Sequence, residues 1–81
     1  MKILLADDEQ RIHSIVSRIA DDEGYELVSA YDGAQALEVF EAEAPDLVIL
    51  DVMMPRMDGF QVCRKLRERG AICLLYTSRC V

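Results

Sequence analysis

Four short apolar runs alternate with three stretches of helical periodicity, and this alternation constrains the fold more than any other feature. The runs are Lys2–Ala6, Tyr25–Ala30, Leu47–Leu50 and Ile72–Tyr76, each a strand candidate and the first suited to a strand covered on both faces. Between the first two, Ile12, Ile15, Val16 and Ile19 recur at the spacing of an amphipathic helix over Gln10–Glu23, and Gly24 is placed to stop it. After an Asp32-Gly33 turn, Ala34–Ala44 reads as a second helix with Leu37 and Phe40 inward, ended by Pro45. Asp58 is expected to cap a third helix by accepting from the Gln61 N–H. That helix should run to about Arg69 with Phe60, Cys63 and Leu66 inward, stopped by Gly70. Strands alternating with helices predict right-handed crossovers and a parallel sheet, an α/β chain that ends after about its fourth strand.

Length and charge narrow the class. A chain of 81 residues makes one small domain and buries roughly 63% of its unfolded surface. Apolar residues at 52% and charged residues at 30% describe a globular chain rather than a disordered one. A formal charge of −6 repels phosphodiester backbones and argues against nucleic-acid binding by this segment. No apolar run approaches the ~20 residues of a membrane span. Ile3-Leu4-Leu5-Ala6 is followed at once by Asp7-Asp8-Glu9, too short and too acidic for a secretory leader, so a cytoplasmic location is expected. Cys63, Cys73 and Cys80 show no metal-ligand spacing and read as free thiols.

In open parallel sheets the chemistry lies outside the carboxyl ends of the strands. The first strand ends at Asp7-Asp8-Glu9, the third at Asp51 and the fourth at Thr77-Ser78. If the first and third strands are neighbours, Asp7, Asp8 and Asp51 converge. One aspartate at a strand end reads as a helix cap; three, separated by a full strand–helix–strand unit, read as a site. Carboxylates with a backbone carbonyl form a ligand set for Mg²⁺, and a carboxylate beside that ion can attack phosphorus to give an aspartyl phosphate. Asp51, ending the most apolar strand and opening into a loop, is the better nucleophile; Asp7 and Asp8 are better placed as metal ligands.

The two segments Leu4-Leu5-Ala6-Asp7-Asp8-Glu9 and Leu47-Val48-Ile49-Leu50-Asp51-Val52-Met53-Met54-Pro55-Arg56-Met57-Asp58-Gly59 closely resemble the receiver domain of two-component response regulators. The resemblance covers residues 1–70. It implies a flavodoxin-like doubly wound parallel sheet, Asp51 as phosphoacceptor, and Mg²⁺ held by Asp8, Asp51 and the Met53 carbonyl, with Asp7 acting through water. It also implies a sensor histidine kinase as phosphoryl donor and a DNA-binding effector domain in a full-length parent, absent here. Such a domain accepts a phosphoryl group on its own aspartate and is not a turnover enzyme.

Residues 71–81 depart from the family pattern. They read as a non-native tail, read-through from a frame error or library sequence, which makes the chain a partial receiver domain. Thr77 matches the family's switch threonine in residue type and rough position. The lysine that would contact the phosphoryl group has no counterpart, because Lys65 lies on the third helix. These departures support an alternative, a truncated, switching-deficient fragment that only binds partners. Two other classes fit worse. An FMN-binding electron carrier needs a phosphate cradle where Asp7-Asp8-Glu9 would repel phosphate. A haloacid-type phosphatase needs a second aspartate where Met53 stands. His13 is expected at the solvated surface, the methionines at 53, 54 and 57 to pack the loop, and Arg64–Arg69 to be a solvated helix end.

Overall fold

Every apolar run becomes a strand and every periodic stretch a helix. The computed structural model describes residues 1–54 and 58–77; the loop segment 55–57, with Met57, and the last four positions, with Ser78 and Cys80, lie outside the described residues. The order is β1 (Lys2–Ala6), α1 (Gln10–Glu23), β2 (Glu26–Ala30), α2 (Gly33–Glu43), β3 (Leu47–Asp51), α3 (Gly59–Glu68) and β4 (Cys73–Tyr76). The strands form one sheet in the order β2-β1-β3-β4, parallel throughout. β1 and β3 are therefore neighbours, with Ala6 opposite Leu50.

Alternation along the strands divides the core. Leu4, Ala6, Val48, Leu50 and Cys73 are buried together with Ala36 of α2 and Val62, Cys63 and Leu66 of α3. On the opposite face, Ile3 and Leu5 are buried while Ile49 is half-buried and Leu74 exposed. α1 is the helix of that face, and its His13 reaches Ser29 of β2.

Helix ends follow local chemistry, and they move several predicted boundaries. Gly24 closes α1 with φ +76°, a conformation glycine adopts without the Cβ clash. The Tyr25 N–H then bonds the Ala20 carbonyl, so Tyr25 completes the cap and β2 begins one residue later than predicted. Asp32 caps α2 by accepting from the Gln35 N–H at 2.7 Å, which starts the helix at Gly33. Ala44 takes the left-handed conformation, φ +47°, rather than continuing the helix, because a following proline disfavours the α region. Asp58 accepts from both Phe60 and Gln61 N–H groups, as its position before α3 predicts. The Arg69 and Gly70 N–H groups bond back to Leu66 and Arg67, tightening the last turn and ending α3 at Glu68. Ile72 offers its carbonyl to Val48, yet its side chain is exposed, and β4 begins at Cys73.

Two helices are rotated from their predicted faces. Phe60, expected inward, is exposed; the inward row of α3 is Gly59, Val62, Cys63 and Leu66. Gly59 sets this rotation, since a Cβ there would lie 2.9 Å from the Val52 Cα. Only a hydrogen lets the first turn approach so closely, and the approach turns Phe60 away. On α1, Ile15 and Ile19 are exposed while His13 and Ala20 are buried. The small Ala20 side chain permits close contact, and His13 satisfies both ring nitrogens inside the protein. The surface location expected for His13 is thus incorrect.

Candidate metal and phosphoacceptor site

The parallel pairing of β1 and β3 ends both strands at one edge of the molecule, and their terminal carboxylates meet there. Asp7, Asp8 and Asp51 each present a carboxylate oxygen within 4.8 Å of the others. Asp7 and Asp51 are fully buried, and Asp8 is half-buried. Asp51 pairs with Tyr76 in the β3–β4 register, so Thr77, the next residue and exposed, emerges at the same edge. Met53 contributes its backbone: its N–H donates to Asp51 Oδ1 at 2.9 Å, bending the chain sharply after β3. Its side chain is exposed. Met54, by contrast, is buried and belongs to the core cluster.

Asp7 is engaged at every polar atom. Its N–H donates to the Ala30 carbonyl at 3.1 Å and its carbonyl accepts from His13 Nε2 at 2.7 Å. Oδ1 accepts from the Glu9 N–H at 2.8 Å, and Oδ2 accepts from the Tyr76 hydroxyl. Burial pushes the Tyr76 phenol above its ordinary range. The bond to Asp7 and the negative charges of Asp7, Asp51 and Asp8 push it the same way.

The Glu9 and Met53 N–H groups and the Tyr76 hydroxyl each satisfy a carboxylate oxygen of the cluster. Buried carboxyl groups need hydrogen bonds, charged partners or a cation around them, and here three of them converge. A hard, all-oxygen donor set of this kind suits Mg²⁺, so the residues fit the ion that the sequence pattern implies. Beside the cluster a cavity of about 540 Å³ is lined by Asp8, Tyr31, Asp32, Asp58 and Lys65, among others. It gives Asp8 an approach from solvent.

Three of the predicted site residues thus come together. Thr77 lies at the same edge, and Met53 touches the cluster through its amide. Tyr76 and His13 were missed. Tyr76 lay in the predicted strand with nothing local to point its hydroxyl at Asp7, and His13 meets partners that are distant in sequence, so neither carries a signal in the sequence.

The family model described as the response regulator receiver domain matches residues 3–79. A probable transcriptional regulator, ycf27 of Cyanophora paradoxa, is 47% identical over 74 residues, covering 91% of this chain and 31% of that relative. The chain therefore spans about a third of the length of such relatives. Among solved structures, response regulator TrrA of Thermotoga maritima in complex with Mg²⁺–BeF superposes with a TM-score of 0.87 at 36% identity, covering 96% of this chain and 70% of that one. TrrA in a complex with the histidine kinase ThkA superposes equally well, with a TM-score of 0.87 at 35% identity, covering 99% and 71%.

Proposed function

Because the chain belongs to the response regulator receiver domain family, we propose that it accepts a phosphoryl group from a histidine kinase on Asp51, in a Mg²⁺-dependent phosphorelay. The observation that carries this reading is the meeting of the Asp7, Asp8 and Asp51 carboxylates at the carboxyl ends of adjacent parallel strands. Asp8, Asp51 and the Met53 carbonyl would hold Mg²⁺, with Asp7 acting through water. When bound, the ion screens the phosphoryl oxygens and offsets the charge of the cluster.

In the transfer, an Asp51 carboxylate oxygen forms the new P–O bond as the P–N bond of the phosphohistidine breaks, and the bonding pair stays with the imidazole nitrogen. The Met53 N–H on Oδ1 orients that carboxylate. Thr77 is the switch hydroxyl in this reading. The chain is spent once per transfer rather than turning over substrate. A DNA-binding effector in the full-length parent, of which residues 1–70 would be the receiver portion and 71–81 a non-native tail, fits the transcriptional-regulator relative. Among the described residues no helix is long and apolar enough to cross a membrane, and a cytoplasmic site of action accords with the kinase partner.

The test is to treat the protein with a small-molecule phosphodonor and Mg²⁺, reduce the acyl phosphate with borohydride and map the label by peptide mass. Label on Asp51 is expected, lost in Asp51→Asn, which should remain folded and bind Mg²⁺ more weakly. Label on His13 or Asp58 would overturn the assignment. Resequencing across the Ala71 codon decides whether 71–81 is native.

A further inference from the structure

The buried histidine of α1 has no part in the phosphoryl transfer outlined above, yet it is bonded to the backbone of the acidic cluster. A carbonyl oxygen only accepts, so the 2.7 Å contact between His13 Nε2 and the Asp7 carbonyl places the ring proton on Nε2. The Ser29 hydroxyl, 2.9 Å from Nδ1, can then donate to the other nitrogen. The ring also lies against Tyr31, with centroids 4.3 Å apart. Tyr31 is itself held by its hydroxyl on Gln10 and by its N–H on Gln35. The imidazole is thus locked between α1, β2 and the turn that opens α2.

What it holds is the peptide unit before Asp8. The Asp7 carbonyl and the Asp8 N–H share one rigid plane, so fixing that oxygen fixes the plane preceding Asp8. The plane after Asp8 is held by the Glu9 N–H on Asp7 Oδ1, at 2.8 Å. Asp8 is half-buried and carries its carboxylate on backbone pinned at both neighbouring peptides.

We propose that His13 is a positioning residue for the acidic site: by donating from Nε2 to the Asp7 carbonyl, it sets the backbone from which Asp8 presents its carboxylate to a divalent cation. This rests on the reading of the cluster as a Mg²⁺ site. Partners that orient metal ligands from behind change affinity by about 10–100-fold when removed, and a residue acting through backbone falls near the lower end.

The experiment uses the whole chain and Mg²⁺ alone as probe, followed by amide shifts of residues 7, 8 and 51–53. His13→Phe keeps a ring but loses the donor, and should weaken Mg²⁺ binding about tenfold. His13→Gln, whose amide can donate to the same carbonyl, should recover most of that loss. Ala20→Gly loosens the same helix without touching Asp7 and should leave the affinity unchanged. In the metal-free chain, exchange of the Glu9 amide hydrogen should accelerate in His13→Phe and not in His13→Gln. Should His13→Phe fail to fold, Ser29→Ala, which releases the ring from its other side, is expected to weaken binding in the same direction by less than the loss of the donor itself, and unchanged affinity there would overturn the positioning role. Wild-type affinity in folded His13→Phe, or equal losses in His13→Gln and Ala20→Gly, would overturn the positioning role. If the wild-type chain itself bound no Mg²⁺, the cation reading would fall and the cation half of this proposal with it. Unaltered Glu9 exchange in His13→Phe would separately remove the backbone half.

Discussion

The two faces of the sheet are built from the same strands, residue by residue in alternation, yet they are finished differently. Leu4, Ala6, Val48 and Leu50 have no exposed surface beneath α2 and α3. On the α1 face, Leu74 is 52% exposed, and α1 itself leaves Ile15 52% and Ile19 58% exposed. Strand composition does not explain the difference, since Ile49 and Leu74 are as apolar as Val48 and Leu50. Coverage explains it: two helices span the one face, while among the described residues a single helix, lying toward β2, packs on the other. An apolar strand residue contributes to stability only where another layer removes it from water.

The largest test of this contrast is a matched pair of truncations. Leu50→Ala should cost about 3 kcal/mol in denaturant unfolding, a large share of the about 4–12 kcal/mol available to a chain this size. Leu74→Ala should cost less than about 0.5 kcal/mol. Equal losses would mean that the α1 face is packed as tightly as the other.

Association should come next in size. Exposed apolar surface on α1 and β4, together with the β4 edge, which no further strand covers among the described residues, favours self-pairing. Sedimentation should therefore show concentration-dependent association. The double substitution Ile15→Ser and Ile19→Ser should raise the monomer fraction, whereas Phe60→Ser, exposed on the α3 side, should change it less. An equal effect from Phe60 would place the sticky surface on both faces.

A third test is alkaline. Burial pushes the Cys73 thiol, within the α2–α3 core, from 9.0 up to about 12, with neighbouring Cys63 adding to the shift. Tyr76, bonded to Asp7, is raised from 10.0. Between the unfolded and folded values the unfolded chain binds fewer protons than the folded one, so unfolding free energy falls as pH rises. The stability each group contributes is complete below its unfolded value and disappears as pH climbs toward the folded one. Melting followed from pH 8 to 11 should show a decline starting near pH 9. Cys73→Val should delay it to near pH 10, and Tyr76→Phe should remove the later part. A flat profile in the parent chain would show that neither group is as desolvated as its surroundings indicate.

Much of the site was legible in the sequence because its information is local. Asp7-Asp8-Glu9 ends an apolar run and Asp51 ends the most apolar one, and the rule that parallel strands carry chemistry at their carboxyl ends needs no coordinates. The Asp58 cap was legible for the same reason, since it acts on N–H groups two and three residues away, whereas Asp32, read only as part of a turn, also proved to be a cap. Rotation of the helices was not legible. Periodicity identified a stripe on α1, but Ile15 and Ile19 lie off the packed side of that helix and His13 on it.

What the sequence by itself determined is the set of elements, their order, and the residues that end each strand, since these depend on backbone hydrogen bonding and side-chain pattern within a few positions. What only the tertiary structure decided is the roll of each helix and the identity of the buried polar contacts. Gly59 approaches Val52 across the loop that follows β3, turning Phe60 outward. His13 finds Ser29 and the Asp7 carbonyl across 16 and 6 positions, and Tyr76 finds Asp7 across 69. A histidine or tyrosine carries the same pattern value whether buried or solvated. Burial follows from whether a partner stands opposite to satisfy its polar atoms, and that partner is supplied by the fold.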